Sequence, residues 1–505
     1  MVDPPPPSAP VHHRFGLLAR CAVVAGVAAL LYAPTIGFGF AYDDASVVSR
    51  HPLVTGESWR AIATSPYHVG EDVRIQTGAY RPLTIGSFAA NHAVSGLTPW
   101  SYHLVNVLLH ALASALVLVL AVELGAAPGA ALVGALVFAV HPVHVEAVAN
   151  VAGRAEPLST VAALLALIAY LRSRFVTSAL LLAAALFAKE NVATILGVVA
   201  LWELLHATGV RPMARALLAT SAPIVVYLAA RVAVLGRIGL APGWVTAIEN
   251  PILGLAPLPH AATALAVFGR AVSLIVTPVR LSPDYGFAET VPVPSLAAPA
   301  PLVGAALLVA MIAILVACWR RAPLVAFLLG ATLITYSIVS NAYLVIGTVL
   351  GDRLLYLPSV FACLLFGLGA SAAAKRFGRG TAFAGTALVV LALAGRSAAY
   401  ASDWRDDASL FAYAARVAPQ SVRALGGWAE VLAERGELVE ARSVLDRAVA
   451  IAPDFIPNRL NRAGTALAAG DLAAAEMDAR HVLSLEPGNA VAKMQLDAVE
   501  RQRPH

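Results

Sequence analysis

The sequence predicts an all-α membrane protein, in which a polytopic helix bundle is followed by a C-terminal α-solenoid. Of the 505 residues, 59% are hydrophobic and only 13% are charged, whereas soluble domains carry about 25% charged residues. The hydrophobic residues form many long apolar spans, and three prolines near the C-terminus recur at a fixed interval. Basic residues lie in short clusters between the spans, where they set orientation rather than bind nucleic acid.

The membrane domain is predicted over residues 15–397, after a flexible leader at residues 1–14. The first span, 15–36, lacks an obvious small-residue cleavage site, so we expect a retained helix rather than a removed signal peptide. The later spans lie at 103–122, 128–145, 157–171, 175–188, 191–206, 215–234, 261–279, 300–318, 322–340, 353–372 and 380–397. Several are shorter than the roughly 20 residues that a helix needs to cross a bilayer.

Basic clusters predict the topology, because lysine and arginine favour the cytoplasmic side. The clusters are Arg14 with Arg20, Arg172 with Arg174, Arg211 with Arg215, Arg320 with Arg321, and Lys375 with Arg376 and Arg379. All agree with an inside N-terminus if span 261–279 is an interfacial or re-entrant helix on the outer side. We therefore expect about 11 crossings, a long first outer loop over 37–102, and an outer C-terminus.

Residues 403–505 are predicted to form a tetratricopeptide-repeat domain. Pro419, Pro453 and Pro487 are 34 residues apart, which is the period of these repeats. The stretch 404–417 resembles the second helix of a truncated repeat, and a final helix at 489–501 would cap the stack. Two full repeats are fewer than the three or so needed for independent stability, so the array should lean on the membrane domain. It could be a stabilising cap or a surface that binds peptides or partner proteins.

The acidic pair Asp43 and Asp44 is the first candidate site. It follows the first span and heads the long outer loop, where acidic groups are costly to hold close to hydrocarbon. Two adjacent carboxylates could hold a divalent cation such as Mg²⁺ or Mn²⁺, or one could deprotonate an acceptor. An isolated Asp-Asp is more often a solvated loop start or a helix cap.

Polar residues on the second span form a stripe. His103, Asn106 and His110 are spaced by three and four residues, so they share one helix face. A polar stripe facing lipid would be expensive, and this one must face the bundle interior. It could line a polar chamber, or each residue could simply form a hydrogen bond between packed helices.

A histidine-rich turn ends the third span. His141, His144 and Glu146 resemble a metal triad by composition, but Pro142 disturbs the spacing and the His-Glu-x-x-His zinc pattern is absent. The turn lies on the predicted outer side, as does the acidic pair. The histidines are therefore candidates for a polar chamber more than for a metal site.

Charged residues mark the predicted outer ends of later spans. Arg154, just before Glu156, could grip a phosphate bidentately, which a lysine could not match. Arg353, three residues before Tyr356, is a second phosphate candidate. Lys189 and Glu190 are adjacent and could neutralise each other as an internal ion pair.

These segments, in this order, resemble the transmembrane and tetratricopeptide-repeat O-mannosyltransferase family of the GT-C glycosyltransferase superfamily. The matching segments are 42–44, 80–83, 103–110, 141–146, 153–156, 189–191, 352–358 and 403–404. The resemblance implies an enzyme that moves a sugar, mannose or another hexose, from a polyprenyl-phosphate donor to a hydroxyl acceptor such as a protein serine or threonine. The reaction would occur on the outer face of the membrane.

The resemblance also implies roles for individual residues. Asp43 or Asp44 would be the general base and could help hold a metal, while Arg154, Arg353 or Arg81 would bind the donor phosphate. The repeats would present a protein acceptor. The supporting polar chamber would comprise His103, Asn106, His110, His141, His144, Glu146, Glu156, Lys189, Glu190 and Tyr356.

Two other functions are compatible with the same pattern. A membrane-anchored scaffold could recruit partners through the repeats, but it would not need so many crossings. A transporter of polyprenyl-linked sugar should place ionisable residues near the bilayer midplane, whereas here they cluster at the ends of spans. If the enzyme hypothesis is right, Asp43, Asp44, Arg154 and Arg353 should converge within one outward cavity. High alanine, glycine and arginine use favours a bacterial inner membrane with a periplasmic outer side.

Overall fold

The structure is a computed structural model that describes residues 11–56, 58–68, 78–206, 209–239 and 245–503. Within these ranges the regular structure is α-helical, with short 3₁₀ and π turns and no strand. The predicted all-α fold class is confirmed. Residues 1–10 of the predicted leader lie outside the described residues, and residues 11–14 already belong to the first helix, which begins at Val11.

Sixteen helices build the described part of the N-terminal bundle. They are α1 (Val11–Tyr32), α2 (Pro52–Thr55), α3 (Trp59–Thr64), α4 (Pro82–Ser95), α5 (Pro99–Glu123), α6 (Pro128–Val140), α7 (Val145–Val148), α8 (Ala155–Leu171), α9 (Phe175–Ala188), α10 (Ile195–His206), α11 (Val210–Leu235), α12 (Pro257–Val276), α13 (Pro299–Cys318), α14 (Pro323–Ser337), α15 (Tyr356–Phe377) and α16 (Arg379–Asp403). Many begin at a proline, which fits the first turn because the N–H that it lacks has no helical partner there.

Among the described residues, eight helices are long and apolar enough to cross a membrane, or nine spans if α6 and the segment Pro142–Val148 form one broken span with a 49° bend. Shorter apolar helices are α9 and α14. The predicted topology of about 11 crossings adds these two and the 12-residue α10, and it leaves out α12. The helices support a polytopic membrane bundle, and the number of crossings stays a prediction.

The position of α12 bears on that count. Its first turns contact the loop after α14, where the ring Nε2 of His260 lies 2.7 Å from the carbonyl oxygen of Asn341. Its last turn contacts the turn after α6, where Nε2 of His141 lies 2.8 Å from the carbonyl oxygen of Ile275. Both ends of α12 thus meet segments from the predicted outer side. An interfacial helix would make these contacts, although the length and composition of α12 also suit a crossing.

Close helix packing holds the centre of the bundle together. Gly134 on α6 and Gly367 on α15 face each other, and a Cβ at Gly367 would collide with the backbone of Ala130 and Gly134. Small residues let helix backbones approach closely where lipid supplies no hydrophobic driving force. This contact fixes α15 against α6. Arg353 lies in the turn that leads into α15, and His141 and His144 lie in the turn that follows α6.

The tail contains six further helices within its described residues. They are α17 (Asp407–Val417), α18 (Val422–Glu434), α19 (Leu438–Ile451), α20 (Ile456–Ala468), α21 (Leu472–Leu485) and α22 (Ala490–Gln502). The hairpins α18–α19 and α20–α21 occur where the 34-residue period places them, and α22 follows as the expected final helix. Their assignment as tetratricopeptide repeats stays a prediction.

The tail leans on the bundle, as expected for so short an array. The hydroxyl of Ser421 donates to Oδ2 of Asp284 at 2.6 Å, and the hydroxyl of Tyr413 donates to the carbonyl of Leu281 at 2.8 Å. Ser421 and Asp284 are both at least nine-tenths buried. The bundle and the tail therefore share a polar interface.

The glycine contact between α6 and α15 predicts a stability effect. Gly367→Ala should lower the free energy of unfolding by about 1–3 kcal/mol, because the added methyl group must displace the backbone of α6. Thermal unfolding in detergent would measure this. The matched control is Gly369→Ala on the same helix, where a Cβ meets no atom within 4 Å. Equal melting temperatures for the two variants would contradict the close packing of α15 against α6.

Candidate active site

An ion-pair network at one end of the bundle is the centre of the candidate site. Nη1 of Arg353 lies 3.0 Å from Oδ2 of Asp43, and Nε of Arg353 lies 3.3 Å from Oε1 of Glu146. The backbone N–H of Arg353 also donates to Oε2 of Glu146 at 2.8 Å. The Asp43 and Arg353 side chains are 30% and 29% exposed, whereas that of Glu146 is 4% exposed. Asp43 and Arg353 can therefore contact a substrate, and Glu146 holds Arg353 from the buried side.

Short 3₁₀ turns place several charged residues at this end of the bundle. Arg154 lies on the turn Ala152–Arg154, Glu190 on the turn Glu190–Thr194, and Arg353 on the turn Asp352–Leu355. Each turn leads directly into an apolar helix. The side chains are consequently held at the ends of helices and not at their centres.

The backbone before Asp43 is unusual. Tyr42 has a φ of 57°, in the left-handed region. A bulky residue is rare in that conformation, which costs about 1–3 kcal/mol and persists only when its surroundings enforce it. Such strain clusters at functional sites. Tyr42 links the irregular segment 38–41 to the turn that carries Asp43, which faces Arg353.

Asp44 faces away from Asp43 and is fully buried. Its Oδ2 accepts the backbone N–H of Ala41 at 3.1 Å, and its Oδ1 accepts that of Ala152 at 2.7 Å. Burial raises the pKa of Asp44 to about 7, although the backbone N–H groups oppose this. Of the two alternatives for an Asp-Asp pair, this geometry favours the structural one for Asp44. It ties the Asp43 turn to the segment that precedes α8.

The Mg²⁺ or Mn²⁺ site that the sequence left possible at Asp43 and Asp44 does not fit this geometry. Asp43 faces the guanidinium of Arg353, and both carboxylate oxygens of Asp44 accept backbone hydrogen bonds. Nε2 of His141 contacts the carbonyl of Ile275, and Nδ1 of His144 contacts that of Phe138 at 2.8 Å. Across the described ranges, no three histidines, cysteines or acidic residues converge as metal ligands.

Arg154 is completely buried, and the structure does not bring it to the exposed pair. Its guanidinium donates to Oδ1 of Asn106 at 2.8 Å, to Oδ1 of Asn91 at 2.6 Å and to the carbonyl of Tyr102 at 2.8 Å. It also lies 4.5 Å from the ring centre of Phe88. With its donors engaged inside the protein, Arg154 cannot grip a donor phosphate in this conformation. Its predicted phosphate-binding role is not supported.

The predicted polar stripe on α5 faces the interior and joins helices. Nε2 of His103 lies 3.1 Å from the carbonyl oxygen of Gly39. Nδ1 of His110 lies 2.8 Å from the hydroxyl of Tyr356, and Nε2 of His144 lies 2.7 Å from Oγ of Ser359. These contacts match the helix-packing alternative. The histidines and Tyr356 support the site without reaching its surface.

Lys189 and Glu190 do not pair with each other, which corrects the internal ion-pair hypothesis. Lys189 pairs with Glu156, and both side chains are more than nine-tenths buried. Glu190 accepts two hydrogen bonds from Arg81, at 2.9 and 2.6 Å. Burial opposes ionisation of Glu190, but the charge and hydrogen bonds of Arg81 prevail and lower its pKa to about 2. Extended backbone at Lys189 points the two neighbours in opposite directions.

Arg81 is the third predicted phosphate ligand. It is 18% exposed, and its guanidinium lies 5.0 Å from the ring centre of Tyr67. Because Glu190 occupies two of its donors, Arg81 could contribute to an anion site only through the remaining N–H groups. A substrate could therefore reach Arg353, could reach Arg81 only in part, and could not reach the buried Arg154.

Sequence reasoning missed residues that surround the exposed pair. His68 follows Tyr67 in the loop between α3 and α4, and burial lowers its pKa to about 3. The nearby charge of Arg81 acts in the same direction, and that of Asp43 acts against it. Arg423, in the tail, donates to the hydroxyl of Tyr42 at 2.6 Å. No local signal in the sequence connects Tyr42 with a residue 381 positions away.

Comparison with known proteins finds curated relatives over part of the chain. Protein O-mannosyl-transferase Tmtc2 of Drosophila melanogaster is 34% identical over 210 residues, which cover 38% of this chain and 22% of the relative. Tmtc1 of the same organism is 36% identical over 207 residues, covering 39% and 24%, and human TMTC3 is 31% identical over 212 residues, covering 38% and 22%. The match thus spans less than a quarter of the length of these relatives. No family model matches, and no solved structure is detectably similar.

The buried carboxyl of Asp44 predicts a pH dependence of stability. Its pKa is about 7 in the folded protein, against 3.8 for a free side chain. The folded state therefore binds this proton more tightly, and ionising Asp44 costs folding stability as the pH rises from about 4 to about 7. Asp44→Asn removes the titration. The melting temperature of the wild type minus that of the variant should fall across this window and level off above it.

A difference between the two melting temperatures that stays constant from pH 4 to pH 8 would contradict the buried, weakly acidic state of Asp44.

The contacts of Arg154 predict a structural rather than a substrate-binding role. Arg154→Lys should lower the free energy of unfolding by about 3 kcal/mol or more, because a lysine ammonium cannot reach the same spread of oxygens. Thermal unfolding in detergent would measure the loss. Arg172→Lys serves as control, since Arg172 is 46% exposed and pairs with Glu123. A stable Arg154→Lys protein with weakened donor binding would favour the phosphate role after all.

Proposed function

We propose, from the confirmed resemblance of this chain to the transmembrane and tetratricopeptide-repeat O-mannosyltransferase family, that it is a membrane glycosyltransferase. The relatives are named as protein O-mannosyl-transferases. The proposed reaction transfers mannose, or another hexose, from a polyprenyl-phosphate donor to the hydroxyl of a protein serine or threonine. The proposed general base is Asp43, and the proposed ligand of the donor phosphate is Arg353.

The single observation that carries this proposal is the partly exposed pair of Asp43 and Arg353 at the end of an apolar bundle. A carboxylate that can take a proton and a guanidinium that can bind a phosphate lie 3.0 Å apart. A transfer reaction from a lipid phosphate needs both groups on one side of the membrane. The site also lies at the ends of spans, whereas a transporter would place such charges near the midplane.

The proposed chemistry is a single displacement at the anomeric carbon of the sugar. The acceptor oxygen forms a bond to this carbon while the bond to the phosphate oxygen breaks, and the polyprenyl phosphate leaves with the bonding electrons. Asp43 takes the hydroxyl proton as the new bond forms. The guanidinium of Arg353 stabilises the negative charge that develops on the leaving phosphate.

The ion pair gives the base a way to be activated by the donor. While Arg353 contacts Asp43, the guanidinium occupies the carboxylate oxygen Oδ2 of Asp43. A donor phosphate that binds Arg353 would compete with Asp43 for the guanidinium and free the carboxylate to accept a proton. Glu146 would keep Arg353 in place during this exchange, through its contact with Nε and with the backbone N–H.

Burial decides which of the predicted residues the proposal uses. Asp44 and Arg154 are fully buried and hydrogen-bonded inside the protein, so they support the site from the protein interior. Arg81 is bound by Glu190 and could assist phosphate binding from the side. The roles of base and phosphate ligand therefore go to Asp43 and Arg353.

The remaining parts of the proposal concern surroundings and partners. We propose that the repeats present the protein acceptor, and that the site and the tail lie on the periplasmic side of a bacterial inner membrane. The contacts between tail and bundle support a tail on the same side as the site. A scaffold without catalysis would have no use for a reachable acid–base pair in that position.

The experiment is transfer of sugar from radiolabelled polyprenyl-phosphate mannose in membranes. Asp43→Asn should reduce the rate by about 10²–10⁴-fold, because the amide cannot take the proton. The matched control is Glu123→Gln. This change breaks the ion pair between Glu123 and Arg172, which is partly exposed, as is the pair of Asp43 and Arg353. That control should transfer sugar at the wild-type rate.

Two results would overturn the proposal. Full activity of a correctly inserted Asp43→Asn protein would exclude Asp43 as the base. Absence of transfer by the wild type with this and other polyprenyl-phosphate hexoses would exclude the proposed donor class.

A further inference from the structure

The C-terminal tail grips the residue that precedes the proposed base. The backbone N–H of Tyr42 donates to Oδ1 of Asp407, the first residue of α17, at 2.7 Å. The phenol oxygen of Tyr42 accepts a hydrogen bond from Nη2 of Arg423, on α18, at 2.6 Å. One tail residue thus fixes the backbone of Tyr42, and another fixes the far end of its side chain.

Aromatic side chains of the tail complete the grip. The ring of Tyr42 meets Trp404 edge-on, with 6.4 Å between ring centres, and Phe411 in the same way at 6.1 Å. Trp404 is fully buried, so it holds the Tyr42 ring from within the protein. The guanidinium of Arg423 also lies 5.7 Å from the ring centre of Tyr42. The ring is therefore held on several sides by the tail.

The grip on Tyr42 is itself anchored. Asp284 on the bundle lies 3.9 Å from Nη1 of Arg423 and accepts the hydroxyl of Ser421, the residue before α18. The backbone N–H of Gly39 donates to the carbonyl of Arg405 at 3.0 Å, so the chain before Tyr42 is also tied to the tail. These contacts explain how a bulky residue keeps a left-handed φ of 57°.

We propose that the tail is a positioning element for the reaction, with Asp407 and Arg423 as positioning residues that hold Tyr42 and thereby aim Asp43 at Arg353. This inference rests on the proposed function, in which Asp43 is the base. It adds a role for the tail that is separate from binding the acceptor. A misplacement of a catalytic group by about 1 Å can cost about 10²-fold in rate. Even a small shift of Tyr42 would therefore lower the rate of transfer.

A simpler interpretation is that these contacts only dock the tail onto the bundle. Neighbouring residues of α17 separate the two interpretations. Asp406 caps α17 by accepting the backbone N–H of Ser409 at 2.7 Å, and Asp407 binds Tyr42. Asp406→Ala should weaken the helix and leave Tyr42 bound. Asp407→Ala removes the acceptor for Tyr42, and Asp407→Asn keeps a carbonyl oxygen in its place.

The test compares the wild-type chain of 505 residues with these three variants, using a serine- and threonine-containing peptide too short to span the repeats. We expect Asp407→Ala to lower kcat by about tenfold or more with the KM for the peptide unchanged. Asp407→Asn and Asp406→Ala should stay within about twofold of the wild type. Equal losses in Asp407→Ala and Asp406→Ala, or a change in KM alone, would overturn the positioning role.

Hydrogen exchange gives a readout that does not depend on transfer. The amide of Tyr42 and its neighbours in 39–44 should exchange faster in Asp407→Ala than in the wild type, Asp407→Asn or Asp406→Ala. Unchanged exchange in Asp407→Ala would show that the tail does not hold this segment. If the wild type transfers no sugar, the proposed function fails, and the exchange rates still decide whether the tail holds Tyr42.

Discussion

The buried guanidinium of Arg154 is the interaction on which the rest of the site depends. A buried cation without a carboxylate partner is costly unless its donors are satisfied. Here neutral oxygens of α4 and α5 satisfy them, including those of Asn91 and Asn106. Arg154 thus locks the turn before α8 against two helices. The same turn offers the N–H of Ala152 to Asp44, and so the locked turn also sets the position of Asp43.

Identical residue types take opposite roles at this site because their burial differs. Asp43 and Asp44 are adjacent, yet one faces an exposed guanidinium and the other is enclosed by backbone N–H groups. Arg353 and Arg154 divide in the same way. The enclosed members build the platform, and the exposed members can meet a substrate. This division also explains why the pair of aspartates does not suit a metal ion.

The bundle and the tail form one structure around the site. A short repeat array gains stability by leaning on a partner surface, and here the partner surface includes Tyr42. The positively charged Arg423 connects Asp284 on the bundle with Tyr42 beside the proposed base. In the proposed function, an array that contacts both the protein acceptor and the segment before Asp43 couples acceptor recognition to sugar transfer.

The sequence by itself determined the all-α membrane fold class, a helix within each apolar span, and the helix positions in the tail. It also identified many of the polar residues at the ends of the spans. These features depend on composition and on local periodicity, which a sequence displays directly. Only the tertiary structure decided which charges pair. Lys189 joins Glu156 and Glu190 joins Arg81, although Lys189 and Glu190 are neighbours in the chain. Asp43 meets Arg353 across 310 positions. Pairing and exposure depend on how distant helices enclose each side chain, and that enclosure separates Asp43 from Asp44 and Arg353 from Arg154.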